Sequence, residues 1–395
     1  MTDSSFYTTS SSRDEQFLRR FRTKERVGKL TDNEMNQLRQ DSSQGNAYAQ
    51  YGYGRWLYYL NPYEGALRDA EKLFHAARNK VPDSLAAYAQ MLRYGETETT
   101  HPPFMDIEES IKTLDEAARR GSELAALQKC RHRIFGNYCE AEPLQVAEEI
   151  EQHLKAHPDS DHVWYTLLAF AYEKLEQTDK AIELYEKAVC LGEVEDYGYL
   201  ACIYKERFNN ALYEEYMEEG CEKGSSFCCL YQADTDDETF DELDEEEQLL
   251  LHQTVADRLH RGLQLGDGSC AYFLWFHHHY GSLGFDEDEV KALSYLKRGV
   301  QLADSTCISQ LLIENDNESL PPSLALTPFE RDELRLKAAR YSPNDNEALQ
   351  ELQRADDPAF LLKYKDELQK YWQPRFPQFE EDEVDEDDGR YDAYV

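Results

Sequence analysis

The sequence has no long apolar run, since no stretch approaches the roughly 20 apolar residues that a bilayer-spanning helix requires. Its first residues, Met1-Thr2-Asp3 and a Ser/Thr run, also lack the basic and apolar regions of a secretory signal peptide. From these two absences we expect a cytoplasmic protein.

Cysteines are few, nine in 395 residues, and their spacing is irregular. This pattern argues against the disulfide framework of a small secreted domain. Cys221 and Cys229, with Cys228 adjacent, lie where two predicted repeat helices meet. These residues could form a disulfide or remain buried thiols that pack as small apolar groups. For a cytosolic protein we expect the thiols.

The sequence also lacks a Gly-rich phosphate loop, a nucleophile elbow and a His-Glu-x-x-His motif. The run His277-His278-His279 is the strongest candidate for a metal site. However, successive residues on a helix point about 100° apart, so the three rings cannot face one ion. Carboxylates are so numerous that the proximity of two of them indicates no acid-base catalysis. We therefore predict no enzyme, no cofactor and no metal site.

Positive charge is scarce, because 42 Lys and Arg residues stand against 79 Asp and Glu residues. The net charge of −37 makes binding of a nucleic-acid backbone improbable. Two runs, 234–247 and 380–395, hold ten and nine acids, whereas the segment from Arg13 to Lys29 is basic. The acidic runs are either solvated, disordered segments or segments that attract a basic partner or the chain's own basic N-terminal helix.

What the sequence does contain is a helical pattern that returns every 32 to 42 residues. A small residue recurs once in each repeat, and a large residue stands three positions before it, so both lie on one helix face. The small residues are Ala77, Ala117, Ala188, Gly220, Gly262 and Gly299, and the large ones are Phe74, Leu114, Tyr185, Met217, Leu259 and Leu296. Periods of this length predict a helical solenoid, in which each repeat packs on its neighbours.

The run from Gly45 to Gly54, with Ala49, Tyr53 and Leu57 at the key positions, resembles the first helix of a Sel1-like repeat. The fourth pair is closer to a plain tetratricopeptide repeat, and its matching residues are Tyr165, Leu168, Ala169, Tyr172, Ala181, Tyr185 and Ala188. This resemblance, over about residues 45–305, implies an all-α fold, a right-handed α-solenoid of antiparallel helix pairs.

The chain is expected to divide into five parts. They are a disordered lead (1–12), a basic N-terminal helical cap (13–44), the repeat solenoid interrupted by an acidic loop at 234–247 (45–305), a C-terminal helical cap (306–372) and an acidic disordered tail (373–395).

In this family the first helices line a concave surface, so the resemblance implies that residues on those helices contact a partner. The candidates are Tyr51, Arg55 and Tyr58 in the first pair, Thr166, Phe170 and Glu173 in the fourth, and Tyr272, Phe276 and His279 in the seventh. The expected function is that of an adaptor that binds a protein or peptide of basic character. The alternative is an acidic inhibitor, such as an immunity protein or nucleic-acid mimic, that neutralises a basic toxin or enzyme. The sequence leaves the oligomeric state open.

Overall fold

A computed structural model describes residues 12–63, 65–94, 96–97, 106–233, 237–317, 320, 325–341 and 346–372. Within these ranges the chain is helical and contains no strand. The predicted acidic tail (373–395) and residues 1–11 of the predicted lead lie outside the described residues.

The helices follow one another as antiparallel neighbours, as the repeat pattern predicts. Three helices precede the array: α1 (Ser12–Arg19), α2 (Lys24–Gly28) and α3 (Asp32–Ser43). The first five pairs are α4 (Ala47–Leu60) with α5 (Ala66–Ala77), α6 (Asp83–Tyr94) with α7 (Ile107–Arg119), α8 (Glu123–Phe135) with α9 (Pro143–Ala156), α10 (Val163–Lys174) with α11 (Thr178–Cys190), and α12 (Asp196–Glu206) with α13 (Asn210–Lys223).

The second half of the array is less regular. In the sixth pair a 3₁₀ helix (Phe227–Leu230) replaces the first helix, and α14 (Asp237–Asp241) and α15 (Glu245–Gln264) follow it. The seventh pair is α16 (Gly268–Tyr280) with α17 (Glu289–Gln301), joined by a 3₁₀ turn (Ser282–Gly284). The chain continues through α18 (Ser305–Asp316), α19 (Pro328–Tyr341), α20 (Asn346–Leu352), α21 (Pro358–Lys363) and α22 (Lys365–Trp372).

Contacts are made chiefly between helices that are consecutive in the sequence, which is the organisation of a repeat solenoid. The prediction of an all-α solenoid of antiparallel helix pairs is confirmed. The large residues of the repeat pattern, such as Phe74, Leu114 and Tyr185, are buried between the helices.

Some of the recurring small residues of the repeat pattern are glycines, and in the second half of the array they have a specific packing role. The Cα of Gly262 faces the sulfur of Cys270, and Gly299 faces Cys307 in the same way. A β-carbon at either glycine would overlap that sulfur. Each glycine lies eight residues before its cysteine, at the joint between the second helix of one pair and the first helix of the next. Gly220 and Cys228 make a third joint of this kind.

The expectation of free thiols at Cys221 and Cys229 is wrong, because these two residues form a disulfide. Gly224, with a φ of 99°, ends α13 in the left-handed conformation and turns the chain back. The short 3₁₀ helix then packs beside the last turn of α13, and the two Cα atoms lie 4.7 Å apart. Sequence spacing could not show this reversal.

The segment expected as an acidic loop is largely helical where it is described. Asp244 caps α15, accepting hydrogen bonds from the backbone of Glu246 and Glu247, and the Glu247 side chain completes a capping box. Acids in a first helical turn also interact favourably with the helix dipole. Phe240 of α14 is buried and anchors the segment to the core.

The array turns back on itself so that its first and seventh pairs touch. In α17, Arg298 donates hydrogen bonds to the backbone oxygens of Leu60 (2.6 Å) and Asn61 (2.7 Å) at the end of α4. The Asn61 amide in turn donates to the backbone oxygen of Gln301 (2.7 Å). These bonds join residues about 240 positions apart and close the array around an interior.

Candidate functional site

The inner face of the first pair is covered by residues 12–29 of the same chain, which we call the N-terminal segment. Arg55 donates from Nε to the backbone oxygen of Phe21 (2.8 Å) and from Nη2 to that of Arg22 (2.9 Å). Tyr51 is fully buried and meets the Phe21 ring edge-on at 6.2 Å. Tyr58 is half-buried beside Tyr59. Tyr51 and Arg55 therefore contact this chain rather than an open concave surface.

The same segment inserts two arginines into a cluster of buried acids. Arg22 is paired with Asp83 (3.4 Å), Asp161 (2.9 Å) and Glu123, and also with Glu15 of its own segment (2.7 Å). The sequence suggests that an acidic run could fold onto the basic N-terminal helix. The acids that bind Arg22 lie outside both acidic runs, 234–247 and 380–395, so that expectation did not identify them.

Arg26 extends the cluster to a fourth acid of the solenoid, since it pairs with Asp161 (2.7 Å) and with Glu193. We call Asp83, Glu123, Asp161 and Glu193 the carboxylate groove. These acids lie at or just before the starts of α6, α8, α10 and α12, so four successive pairs each supply one. Their spacings of 40, 38 and 32 residues match the repeat period, and this recurrence was the sequence signal that could have revealed them.

Other groups of the solenoid hold three of these carboxylates in place. Ser122 Oγ donates to Asp83 Oδ1 at 2.6 Å, and Trp164 Nε1 donates to Glu123 Oε1 at 2.8 Å. The backbone N–H of Val163 donates to Asp161 Oδ1 at 3.4 Å. The acids are therefore oriented by contacts that do not involve the arginines.

The pKa values of the clustered acids reflect both their burial and the nearby arginine charges. Burial alone would raise the pKa of Asp161, but Arg26 and Arg22 outweigh burial and hold that pKa below its usual range. Burial, with a hydrogen bond to Glu123, raises the pKa of Glu15 to about 7. The two arginines therefore favour the ionised form of Asp161, whereas burial beside a second carboxyl group makes ionisation of Glu15 less favourable.

The candidate residues of the fourth pair are also enclosed. Thr166 donates to Asp196 Oδ2 at 2.9 Å, and the buried Phe170 ring lies 5.0 Å from that of Tyr199. Glu173 is half-buried and accepts a hydrogen bond from the Tyr185 hydroxyl.

Thr166 and Phe170 line a small cavity of about 20 Å³, together with Thr23 of the N-terminal segment, Arg131 and Asp196. Both terminal nitrogens of Arg131 and one Asp196 oxygen lack a hydrogen-bond partner there. The space and these polar groups suit one bound water. The cavity is too small to bind a larger ligand.

The candidates of the seventh pair lie on an accessible surface. The Phe276 side chain is 36% exposed and packs against Tyr280, which is 59% exposed, at 4.9 Å between ring centroids. Tyr272 and His279 are half-buried beside Trp275, and His279 Nδ1 lies 2.8 Å from Glu289 Oε2.

The next first helix, α18, presents an apolar residue at the equivalent position. Gly262 with Cys270 and Gly299 with Cys307 define a register of 37 residues, which aligns Phe276 with Ile313. Ile313 is 50% exposed. We call Phe276, Tyr280 and Ile313 the α16–α18 patch.

The three consecutive histidines point to different partners. His277 lies 2.8 Å from Ser282 Oγ, and His278 lies 2.9 Å from the backbone oxygen of Asp286. His279 faces Glu289. Across the part of the chain that the structure describes, no group of three or more His, Cys, Asp or Glu side chains is arranged to hold a metal ion.

Among the described residues, no helix is both long and apolar enough to span a membrane.

No protein-family model matches the chain, and no curated protein matches it. Solved structures with a similar fold include c5321, a protective antigen of uropathogenic Escherichia coli with an SLR fold, at 16% identity over 88% of this chain and 76% of that chain, with a TM-score of 0.41. A Sel1 repeat protein from Oxalobacter formigenes shares 16% identity over 75% of this chain and 84% of that chain, with a TM-score of 0.38. A third is the APC/C hetero-tetramer Cut9-Hcn1, at 14% identity over 88% and 64%, with a TM-score of 0.40. The solenoid assignment rests on the packing of this chain's own helix pairs.

Proposed function

We propose that the chain is a non-catalytic scaffold that binds a partner protein on the α16–α18 patch. The observation that carries this proposal is the difference in exposure among the candidate surfaces. Tyr51, Arg55 and Phe170 are buried, whereas Phe276 and Ile313 remain accessible at equivalent positions of successive repeats. Exposed aromatic and aliphatic side chains on successive repeats are typical anchors of a protein interface.

The partner's chemistry follows from the surroundings of the patch. The connection between α16 and α17 presents four exposed acids, from Asp286 to Glu289, and the whole chain carries a net charge of −37. A partner that places an apolar side chain on Phe276 and basic residues near these acids is favoured by both packing and charge. The cytoplasmic location stays a prediction.

Affinity capture from a lysate of the source organism, followed by quantitative mass spectrometry, tests the proposal. The bait carrying Phe276→Ser and Ile313→Ser should lose its partner by at least tenfold relative to the unmodified chain. The matched control is Phe208→Ser, because Phe208 is 94% exposed in the connection between α12 and α13 and lies outside the patch.

Equal capture by the double variant and the unmodified chain would contradict the patch as the binding surface. The alternative of an acidic inhibitor predicts a different result. In that case one basic partner would dominate, would be lost in high salt and would not depend on Phe276.

A further inference from the structure

The N-terminal segment is bound to the solenoid in the way that a peptide ligand is bound to a receptor. Phe21, Arg22 and Thr23 lie between α1 and α2, outside any helix. Two of their backbone oxygens are bound by side chains of the solenoid, because Arg55 donates to the oxygens of Phe21 and Arg22, and Tyr59 also donates to the Arg22 oxygen (3.2 Å). Backbone recognition combined with side-chain pockets is the usual anatomy of peptide binding.

The side-chain pockets are specific. The Phe21 ring fits against Gly52 of α4, where a β-carbon would lie 2.8 Å from the ring. Arg22 and Arg26, four residues apart in the sequence, fill the carboxylate groove. The pattern of the bound segment is therefore Phe-Arg-x-x-x-Arg. The phenylalanine packs against Gly52, and the two arginines pair with acids from four successive helix pairs.

Charge selects the occupant of the groove. Four buried carboxylates without a cation would be strongly destabilised by their desolvation and mutual repulsion. Arginine suits this site better than lysine, because the planar guanidinium directs several donors at fixed angles, and Arg22 uses Nε for Asp83 and Nη1 for Glu123 and Asp161. Whatever replaces residues 21–26 must bring two guanidinium groups.

We propose that the carboxylate groove is a second recognition site, for a partner segment with the pattern Phe-Arg-x-x-x-Arg, and that residues 12–29 are its resident occupant. The partner's segment binds by replacing the resident one. The proposal rests on the proposed function in treating the chain as a scaffold, but it uses a different surface. Because the resident segment is covalently attached, its effective concentration is of the order of millimolar, and it outcompetes a weak peptide in trans.

A labelled synthetic peptide of residues 12–30 is the probe, and its binding to the full chain is measured by fluorescence anisotropy. The chain variant Arg26→Gln weakens the resident segment at its half-buried arginine. We expect this variant to bind the peptide at least tenfold more tightly than the unmodified chain does. A peptide carrying Arg22→Gln and Arg26→Gln should bind the same variant at least tenfold more weakly. Adding Asp161→Asn to the chain variant should also weaken peptide binding.

A second measurement keeps the test decisive if the Arg26→Gln chain fails to fold by circular dichroism. Peptide is added to the unmodified chain above the roughly millimolar effective concentration of the resident segment, and hydrogen–deuterium exchange of residues 14–29 is followed. Faster exchange of that segment supports displacement, whereas unchanged exchange overturns it. Equal binding of the two peptides, or binding of neither, also overturns the proposal.

The two proposals fail separately. Loss of a captured partner in the Phe276→Ser and Ile313→Ser variant, with no effect of the peptide on exchange, sustains the scaffold and overturns the groove. Arginine-dependent displacement with unchanged capture by that variant sustains the groove and contradicts the patch.

Discussion

Replacement of Gly262 by alanine tests whether the glycine–cysteine joints determine how the repeats stack. In an ordinary helix this change stabilises by about 0.5–1 kcal/mol, because glycine has the greater backbone freedom in the unfolded chain. Here the new β-carbon would overlap the sulfur of Cys270, which is fully buried. Overpacking of this kind costs about 1–3 kcal/mol. We therefore expect Gly262→Ala to lower the free energy of unfolding by about 0.5–2 kcal/mol.

The structure also identifies the compensating change. After the Cys270 sulfur, the atoms nearest to the added β-carbon are Cys229 Cβ at 3.3 Å and the Ser226 backbone oxygen at 3.4 Å. The sulfur alone causes the severe overlap, so Cys270→Ala removes it. By itself, Cys270→Ala leaves a small void and should cost about 1 kcal/mol. In the double variant the new methyl group fills that void, and stability should return close to that of the unmodified chain.

The assay is urea unfolding followed by circular dichroism and by tryptophan fluorescence, with the four proteins of the cycle compared. A coupling energy of about 1–3 kcal/mol between the two substitutions is expected for groups in direct contact. Cys307→Ala is the control, because it removes a sulfur from the next joint and should not rescue Gly262→Ala. Additive effects, or equal rescue by Cys307→Ala, would refute the stacking described here.

Two further predictions concern pH and the disulfide. Burial raises the pKa of Glu173 to about 7 against 4.5 in the unfolded chain, with smaller opposing effects from the hydrogen bond of Tyr185 and the charge of Lys174 and a reinforcing effect from Glu206. The folded state then binds this proton more tightly, so the contribution of Glu173 to stability is fully present below about pH 4.5 and falls by up to about 3 kcal/mol as the pH rises through 7. Urea unfolding between pH 5 and 7 should show a smaller decline for Glu173→Gln, and an unchanged slope would contradict the assignment. The Cys221–Cys229 disulfide closes a short loop, so Cys221→Ser should lower the free energy of unfolding by about 2–3 kcal/mol through the greater entropy of the unfolded chain. Cys190→Ser is the control, because it replaces an exposed free thiol and should have no measurable effect. Equal stability of the two variants would contradict the prediction.

The helical solenoid could be predicted from the sequence because its information is local and repeated. The small residue of each repeat, such as Gly262 or Gly299, contacts a helix that begins within ten residues, and the same contact recurs along the chain. Repetition lets a weak pattern be recognised several times over. The acidic segment was misassigned because its composition suggested a solvated loop, whereas the acids near Asp244 cap a helix.

The acids of the carboxylate groove recur with the repeat period, but their pairing with the N-terminal segment could not be predicted, because those contacts are distant in sequence and occur once. Arg22 meets Asp161 across 139 residues, and no period or motif links the two. Tyr51 and Arg55, two of the predicted positions, lie on α4 and are fully buried. What the sequence did not show is that the chain's own segment already lies there. The repeat pattern of a first helix predicts which side of the helix a residue lies on. Whether that residue is exposed depends on what the rest of the chain packs against it.

Successive repeats are held together by different physical means in the two halves of the array. From α13 to α18, the joints at Gly220, Gly262 and Gly299 let a helix pack directly on the cysteine side chain that follows each glycine. The Cys221–Cys229 disulfide also links the first of these joints. Between the second and fifth pairs, four carboxylates converge on the interior and would repel one another if the arginines were absent. In that half the close approach of successive repeats depends on a cation between them. The contact of Arg298 with the end of α4 joins the two halves. Because the two arginines neutralise acids from four successive pairs, a segment that carries them stabilises the arrangement of those pairs by binding.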